Sequence, residues 1–327
     1  MKLRDVGEFG LIERIERIAR RAAVRGGSGS VLLGIGDDAA LLRVRAGEHV
    51  AVSTDALVEG VHFRFTTQAA RTIGRRALLV ALSDLSAMGA RPLGVTLALA
   101  APAGLGVRAA LDLARGCADV AARAGCPLVG GNLTRARVTS LTLTVLGAVP
   151  AGRAGRALLR RTARPGDRVF VTGTLGGAAL ARVRAERLRG RLRHLPPLRL
   201  AAGRALGRLA ARGACIDVSD GLVADLRHVL RASRVGAELD ARRLPWPRGF
   251  RAACARLGLD PLWTALAGGE DYELLFTLRP GGPGPTALAR RLGAPVTELG
   301  RITRGRALRI VGPGGRVLEG PAGYRHF

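Results

Sequence analysis

Eight of the chain's 25 acidic residues fall in five short motifs at predicted element ends. They are Gly36-Asp37-Asp38, Ser53-Thr54-Asp55, Ser83-Asp84, Asp217-Val218-Ser219-Asp220 and Gly268-Gly269-Glu270-Asp271. Clustered carboxylates repel one another unless cations sit among them. Hard oxygen ligands suit Mg²⁺, which bridges protein carboxylates to substrate phosphates. The hydroxyls of Ser53 and Thr54 add oxygens of the same chemical type. For any single motif, a turn or a helix cap explains the acid equally well. Ser219, for instance, would cap the helix that carries Leu222, Leu226 and Val229. Five such motifs in an acid-poor chain favour a multi-metal phosphate site.

The familiar nucleotide-binding lysines are missing. There is no G-x-x-x-x-G-K-[ST] motif, and Lys2 is the only lysine. Phosphoryl transfer here has to rely on metals, backbone amides and arginines. The turn Gly173-Thr174-Leu175-Gly176-Gly177, between a predicted strand and a predicted helix, could lay amides on a phosphate.

These motifs need elements to hold them. Residues 8–25 carry Phe9, Ile12, Ile15, Ala19 and Ala22 at helical spacing. Strands are predicted at 31–35, 50–55, 93–100 and 139–149, with helices at about 69–88 and 105–124. The helix before Gly89 stops there, with Pro92 just beyond. The Gly-, Arg- and Pro-rich stretch 150–167 reads as a linker. A second αβ pattern follows, with strands at 168–172, 214–218 and 272–277. Mixed αβ order in both halves predicts an α+β (mixed α/β) protein, with domains at 1–150 and 151–327.

Composition narrows the function classes. Hydrophobic residues make up 48% of 327 positions, which is globular rather than disordered. The formal charge is +27, yet aromatics are only 3% and none interleave with the arginines as stacking platforms. A bias toward arginine explains the charge better than a nucleic-acid footprint. Cys117, Cys126, Cys215 and Cys254 form no C-x-x-C pair and read as reduced, buried thiols. Residues 8–25 are no signal peptide, and no uncharged run is long enough to span a bilayer. A soluble, cytoplasmic protein is expected, without membrane or specific nucleic-acid partners.

At the acidic motifs a resemblance becomes specific. Glu8-Phe9-Gly10-Leu11-Ile12, Gly34-Ile35-Gly36-Asp37-Asp38-Ala39-Ala40 and the run from Ser53 to Phe63 resemble the thiamine-monophosphate kinases. So do the run from Ser83 to Ala90, the run from Ile216 to Leu222, the run from Gly268 to Leu274, and the closing Gly323-Tyr324-Arg325-His326-Phe327. The resemblance implies the two-domain aminoimidazole-ribonucleotide-synthetase-like fold, with the N-terminal domain of a homodimer forming a shared β-barrel and ATP at the subunit interface. It implies ATP as co-substrate, several Mg²⁺ ions, and thiamine monophosphate as acceptor. Asp37, Ser53, Thr54, Asp55, Asp84, Asn132, Asp217 and Asp220 are then metal ligands. Gly131, Asn132, Arg161 and Ser219 are ATP contacts, and His62, Glu270 and Tyr324 contact the thiamine part.

One position departs from the family. It has Gly-Gly-Asp where this chain has Gly130-Gly131-Asn132, so an oxygen ligand is kept and a charge is lost. The implied reaction asks for no general base, because the acceptor is itself an ionised phosphate. It asks for two anions to be held in line and neutralised. The other readings are a different ATP-dependent enzyme of the same superfamily and a non-catalytic polyanion-binding protein.

Overall fold

The computed structural model describes residues 1–26, 29–35, 39–151, 157–188, 190–209, 211–312 and 316–318. The side chains of Phe9 and residues 24–26 lie outside that description, as do Asp37, Asp38 and Tyr324. The chain forms two compact units. One holds 1–85, 90–152 and 191–198; the other holds 86–89, 153–190 and 199–327. The return of 191–198 to the first unit, tied by the Leu192 amide to the Thr67 carbonyl at 3.0 Å, has no counterpart in a single cut at residue 150.

The first unit contains α1 (Leu3–Gly26), β1 (Val31–Leu33), β2 (Leu41–Leu42), β3 (Glu48–Val58), α2 (Ala70–Ala87), β4 (Arg91–Ala101), α3 (Val107–Ala124), β5 (Leu128–Arg135) and β6 (Ser140–Pro150). Four strands form a sheet in the order β3-β6-β4-β5, antiparallel except for the parallel pair β4–β5. Side chains alternate across it. Leu57, Leu141, Leu143, Val145, Val95, Leu97 and Leu99 are buried on one face, where α2 packs. On the other, Val50 and Val52 are 49% and 62% exposed. Helices α2 and α3 meet backbone to backbone. A Cβ on Gly74 would lie 2.0 Å from the Leu113 carbonyl oxygen, so no larger residue fits. Strand β5 was not expected from the sequence, because Gly130-Gly131-Asn132 carries turn chemistry. Tertiary pairing with β4 overrides that preference.

The second unit contains β7 (Arg168–Thr172), α4 (Gly177–Arg187), α5 (Leu200–Gly207), β8 (Arg212–Asp217), α6 (Leu222–Ser233), β9 (Gly236–Asp240), α7 (Phe250–Arg256), α8 (Pro261–Ala267), β10 (Leu274–Leu278), α9 (Pro285–Leu292), β11 (Val296–Thr303), β12 (Leu308–Val311) and β13 (Val317–Leu318). Its seven strands run β13-β12-β9-β11-β7-β10-β8. Both faces are covered. Val169, Val171, Ile216 and Leu275 pack with Leu222, Leu226, Phe250 and Leu266 of α6, α7 and α8. Phe170, Cys215 and Phe276 pack on the reverse face with Leu206 of α5 and Leu288 of α9. The described part of the expected linker is not loose: Leu158 and Ala163 are buried, and Leu159 bridges to Ala214.

Candidate active site

In the first unit, β3 and α2 bring two of the expected ligands together. The Ser53 hydroxyl donates to Asp84, near the C-terminal end of α2. Asp55 lies two residues along β3 and therefore on the same face as Ser53. Thr54 points to the opposite face, where its hydroxyl meets that of Thr144 at 2.9 Å. His62 follows β3 in a turn. Its Nδ1 accepts from the Val58 amide at 3.1 Å, and its carbonyl accepts from the buried Arg76 at 2.5 Å. Arg76 was not singled out by sequence reasoning, since nothing in the pattern of α2 marks it.

Gly131 and Asn132 are exposed on β5, at the opposite edge of the sheet from β3. Gly131 continues the row Asp55, Leu143, Leu97 across the four strands, with β6 and β4 between. Three strand spacings make that about 14 Å. Asn132 sits one row over, with Ala98, on the face of Thr54. Within this unit the sheet does not bring Asn132 beside Asp55. A Cβ on Gly131 would lie 2.0 Å from the Leu97 carbonyl oxygen, which explains the glycine.

In the second unit, Asp217 is the buried last residue of β8. The turn Val218–Gly221 then leads into α6. Gly221 has φ 110°, and a Cβ there would lie 2.9 Å from the Ala267 backbone. Ser219 does not cap α6: the N-cap position is Gly221, which has no side chain. The carboxylate of buried Asp225, in the first turn of α6, takes the amide of Asp220 at 3.0 Å instead, and the amide of Ser219 as well. Burial first, then the charges of Asp217 and Asp220, push Asp225 up to about 8. Ligand atoms of Asp220, Asp225 and His228 lie within 4.8 Å of one another. Sequence reasoning passed over Asp225 and His228, although their i, i+3 spacing on a helix puts them on one face.

The Gly268–Tyr272 segment is knitted to this turn. The amides of Glu270 and Tyr272 donate to the carbonyls of Ser219 and Val218, both at 2.7 Å. Gly269, Glu270 and Tyr272 all have positive φ, which is costly for the two non-glycine residues. Asp271, between them, is buried and caps α4: it accepts from the amides of Gly176 at 2.7 Å and Ala178 at 3.3 Å. Of the amides proposed from sequence as a phosphate cradle, that of Gly176 is thus taken by the protein's own carboxylate, and those of Gly173 and Leu175 by the carbonyls of Pro295 and Pro245. For Asp271, the cap reading holds. Glu273 is buried too, and takes a two-pronged contact from Arg199 at 2.6 and 2.7 Å and the Thr172 hydroxyl at 2.5 Å. Arg161 is exposed on a 3₁₀ turn, Arg160–Thr162.

The donor set fits Mg²⁺. Asp217, Asp220 and Asp225 crowd one strand–helix turn, a charge density that a hard cation relieves. Ser53 and Asp84 supply oxygen donors at the end of α2.

The family model described as AIR synthase related protein, N-terminal domain, matches residues 36–149, and the corresponding C-terminal domain matches 164–312. Thiamine-monophosphate kinase from Escherichia coli (strain K12) is 39% identical over 340 residues, spanning 98% of each chain. The crystal structure of thiamine-monophosphate kinase from Stenotrophomonas maltophilia K279a superposes with a TM-score of 0.79 at 38% identity, covering 93% of this chain and 96% of that one. The structure of AaThiL complexed with AMPPCP and TMP gives a TM-score of 0.73 at 29% identity, covering 100% and 99%.

Proposed function

The chain belongs to the AIR synthase related family and, within it, to the thiamine-monophosphate kinases, and we propose on that premise that its aspartates hold Mg²⁺ around the phosphates of ATP. It transfers the terminal phosphoryl group of ATP to thiamine monophosphate, giving ADP and thiamine diphosphate. Asp55, Asp84, Asp217 and Asp220 are the anionic ligands, with Ser53, Thr54 and Asn132 as neutral oxygens. Held there, Mg²⁺ would supply the positive charge that offsets the negative charge of donor and acceptor phosphates.

The chain's own residues prepare that site. The Ser53 hydroxyl holds Asp84 in one orientation. Asp225 fixes the amides of Ser219 and Asp220, and so the turn that carries Asp220. Asp271 anchors the Gly269–Tyr272 backbone to α4 and thereby sets where Glu270 points. Glu270 and His62 contact the thiamine part, and Ser219, Gly131 and Arg161 contact ATP. No general base is required, because the attacking oxygen belongs to an ionised phosphate.

The enzyme works in the cytoplasm as a homodimer. Among the described residues β3 is an edge strand with two exposed valines, Val50 and Val52, which a second copy would cover.

The observation that carries the metal reading is the packing of Asp217, Asp220 and Asp225 into one turn. Purified protein with ATP and thiamine monophosphate should form thiamine diphosphate with Mg²⁺ and none with EDTA. Folded protein that forms no product with any of several divalent metals overturns it.

A further inference from the structure

Helix α6 has a second functional-looking end. Arg227, Leu230, Arg231 and Arg234 follow one another at i, i+3, i+4 and i+7, so they form one stripe that runs from α6 into the residue after it. Across from the stripe stand Arg306 and Leu308, at the turn that leads into β12. Together with Val235 these side chains line a cavity of about 600 Å³. The volume falls in the range of small-molecule sites.

In a chain of charge +27, arginine alone carries no argument. What sets this cluster apart is that arginines from two elements, α6 and the turn before β12, converge on one concavity. Four arginines of the second unit are matched to acids: Arg168 to Glu298, Arg199 to Glu273, Arg279 to Asp167, Arg242 to Asp240. Among the described residues, Arg231, Arg234 and Arg306 have no such ion pair. Nor are these guanidinium groups needed to cap α6. The carbonyls of Leu230 and Arg231 are already taken by the amides of Val235 and Arg234. Finally, the backbone behind the cavity is packed tight. The Ala237 amide donates to the Ala307 carbonyl at 3.0 Å, and a Cβ on Gly236 would lie 2.6 Å from that same oxygen. Like charges at helical spacing repel, so a row of arginines facing a concavity is best relieved by an anion within it.

We propose that this cavity is a second anion site, for a compact phosphate-bearing molecule, with a diphosphate group the best match. Planar guanidinium groups bind phosphate oxygens in pairs. Leu230, Val235 and Leu308 exclude water from one side and strengthen those contacts. The site is not that of the transferred phosphoryl group: Asp220 lies before the N-terminal end of α6, whereas Leu230, Arg231 and Arg234 lie at its C-terminal end.

Calorimetry with pyrophosphate tests this, using the full chain in EDTA at about physiological salt. Wild type should show saturable binding of one equivalent at this site. Arg231→Ser/Arg306→Ser should weaken it about tenfold or more, the effect of losing charged hydrogen bonds. Arg182→Ser/Arg290→Ser, which removes equal charge from exposed positions elsewhere, should leave it unchanged, as should Arg161→Ser. Kinase turnover of the Arg231/Arg306 variant should match wild type, which also shows that it is folded. The proposal is overturned by absence of saturable binding in wild type, by an equal loss in the Arg182/Arg290 control, which would mean diffuse attraction to a basic surface, or by loss in Arg161→Ser alone.

Discussion

The hydroxyl of Ser53 donates to the carboxylate of Asp84, joining the middle of strand β3 to the end of helix α2 across 31 positions of sequence. One hydroxyl thereby fixes the orientation of an acid whose helix otherwise leaves it free to choose a rotamer. Asp55, two residues further along the same face of β3, is set by the strand itself. On the proposed reading, the pair and its neighbour are the oxygen donors that β3 and α2 offer a cation.

Asp55→Asn and Asp84→Asn should each lower turnover by about 10²–10³-fold, the usual loss when one preorganised electrostatic contact is removed. Melting temperature without ligand should hold or rise, because a group of like charges loses a member. Turnover and melting measured on the same samples check this. Near-normal turnover at saturating Mg²⁺ in both variants rules these acids out as ligands.

Asn132→Asp should lower the Mg²⁺ concentration that gives half-maximal rate, since ligand charge tunes cation affinity. Asn132 is exposed on β5, so the change fits without repacking. A Mg²⁺ titration of initial rates reads the effect, and an inactive but folded variant would show that the site is built around the amide.

Arg199→Met should destabilise the second unit by about 3–5 kcal/mol, because it strands the buried Glu273 carboxylate without its partner. Arg199→Met/Glu273→Met should recover most of that loss. Thermal melts of the single and double variants decide it, and a single variant that melts like wild type refutes the assignment.

Asp271 gives a pH signature. Burial lifts its carboxyl to about 7, from an ordinary value of 3.8. Below pH 3.8 the group is protonated both folded and unfolded, and costs nothing. Between pH 3.8 and about 7 the unfolded chain gives up this proton while the folded chain keeps it, so stability is lost across that window and levels off above it. Relative to Asp271→Asn, wild type should therefore become steadily less stable from about pH 4 to about pH 7, by a few kcal/mol at most, and change little beyond. A stability difference that stays flat with pH would show that the two amides of α4 hold the carboxylate ionised throughout.

The sequence by itself determined the identity of the reaction and most of the elements. Apolar periodicity located α1 through Ile15, Ala19 and Ala22, and Gly89 with Pro92 marked the end of α2. Local order also placed Asp217 at the end of β8, because a strand running into Ser-Asp-Gly is a short-range pattern. Tertiary structure alone decided what each acid does. Asp220 and Asp271 look alike in sequence, each within two residues of a glycine at an element end. Yet Asp271 is spent on the amides of Gly176 and Ala178, 95 and 93 positions away. Asp225 reads as an ordinary helix residue, and only the turn folding back over it reveals a buried carboxylate between two others. Likewise Gly130-Gly131 carries no local strand signal, and β4 supplies the hydrogen-bonding edge that makes it a strand. Periodicity and turn chemistry act over a few residues and survive in the sequence. Hydrogen bonds and charge neighbours act over a few ångströms, and which residues fall within that distance is settled only when the chain is folded.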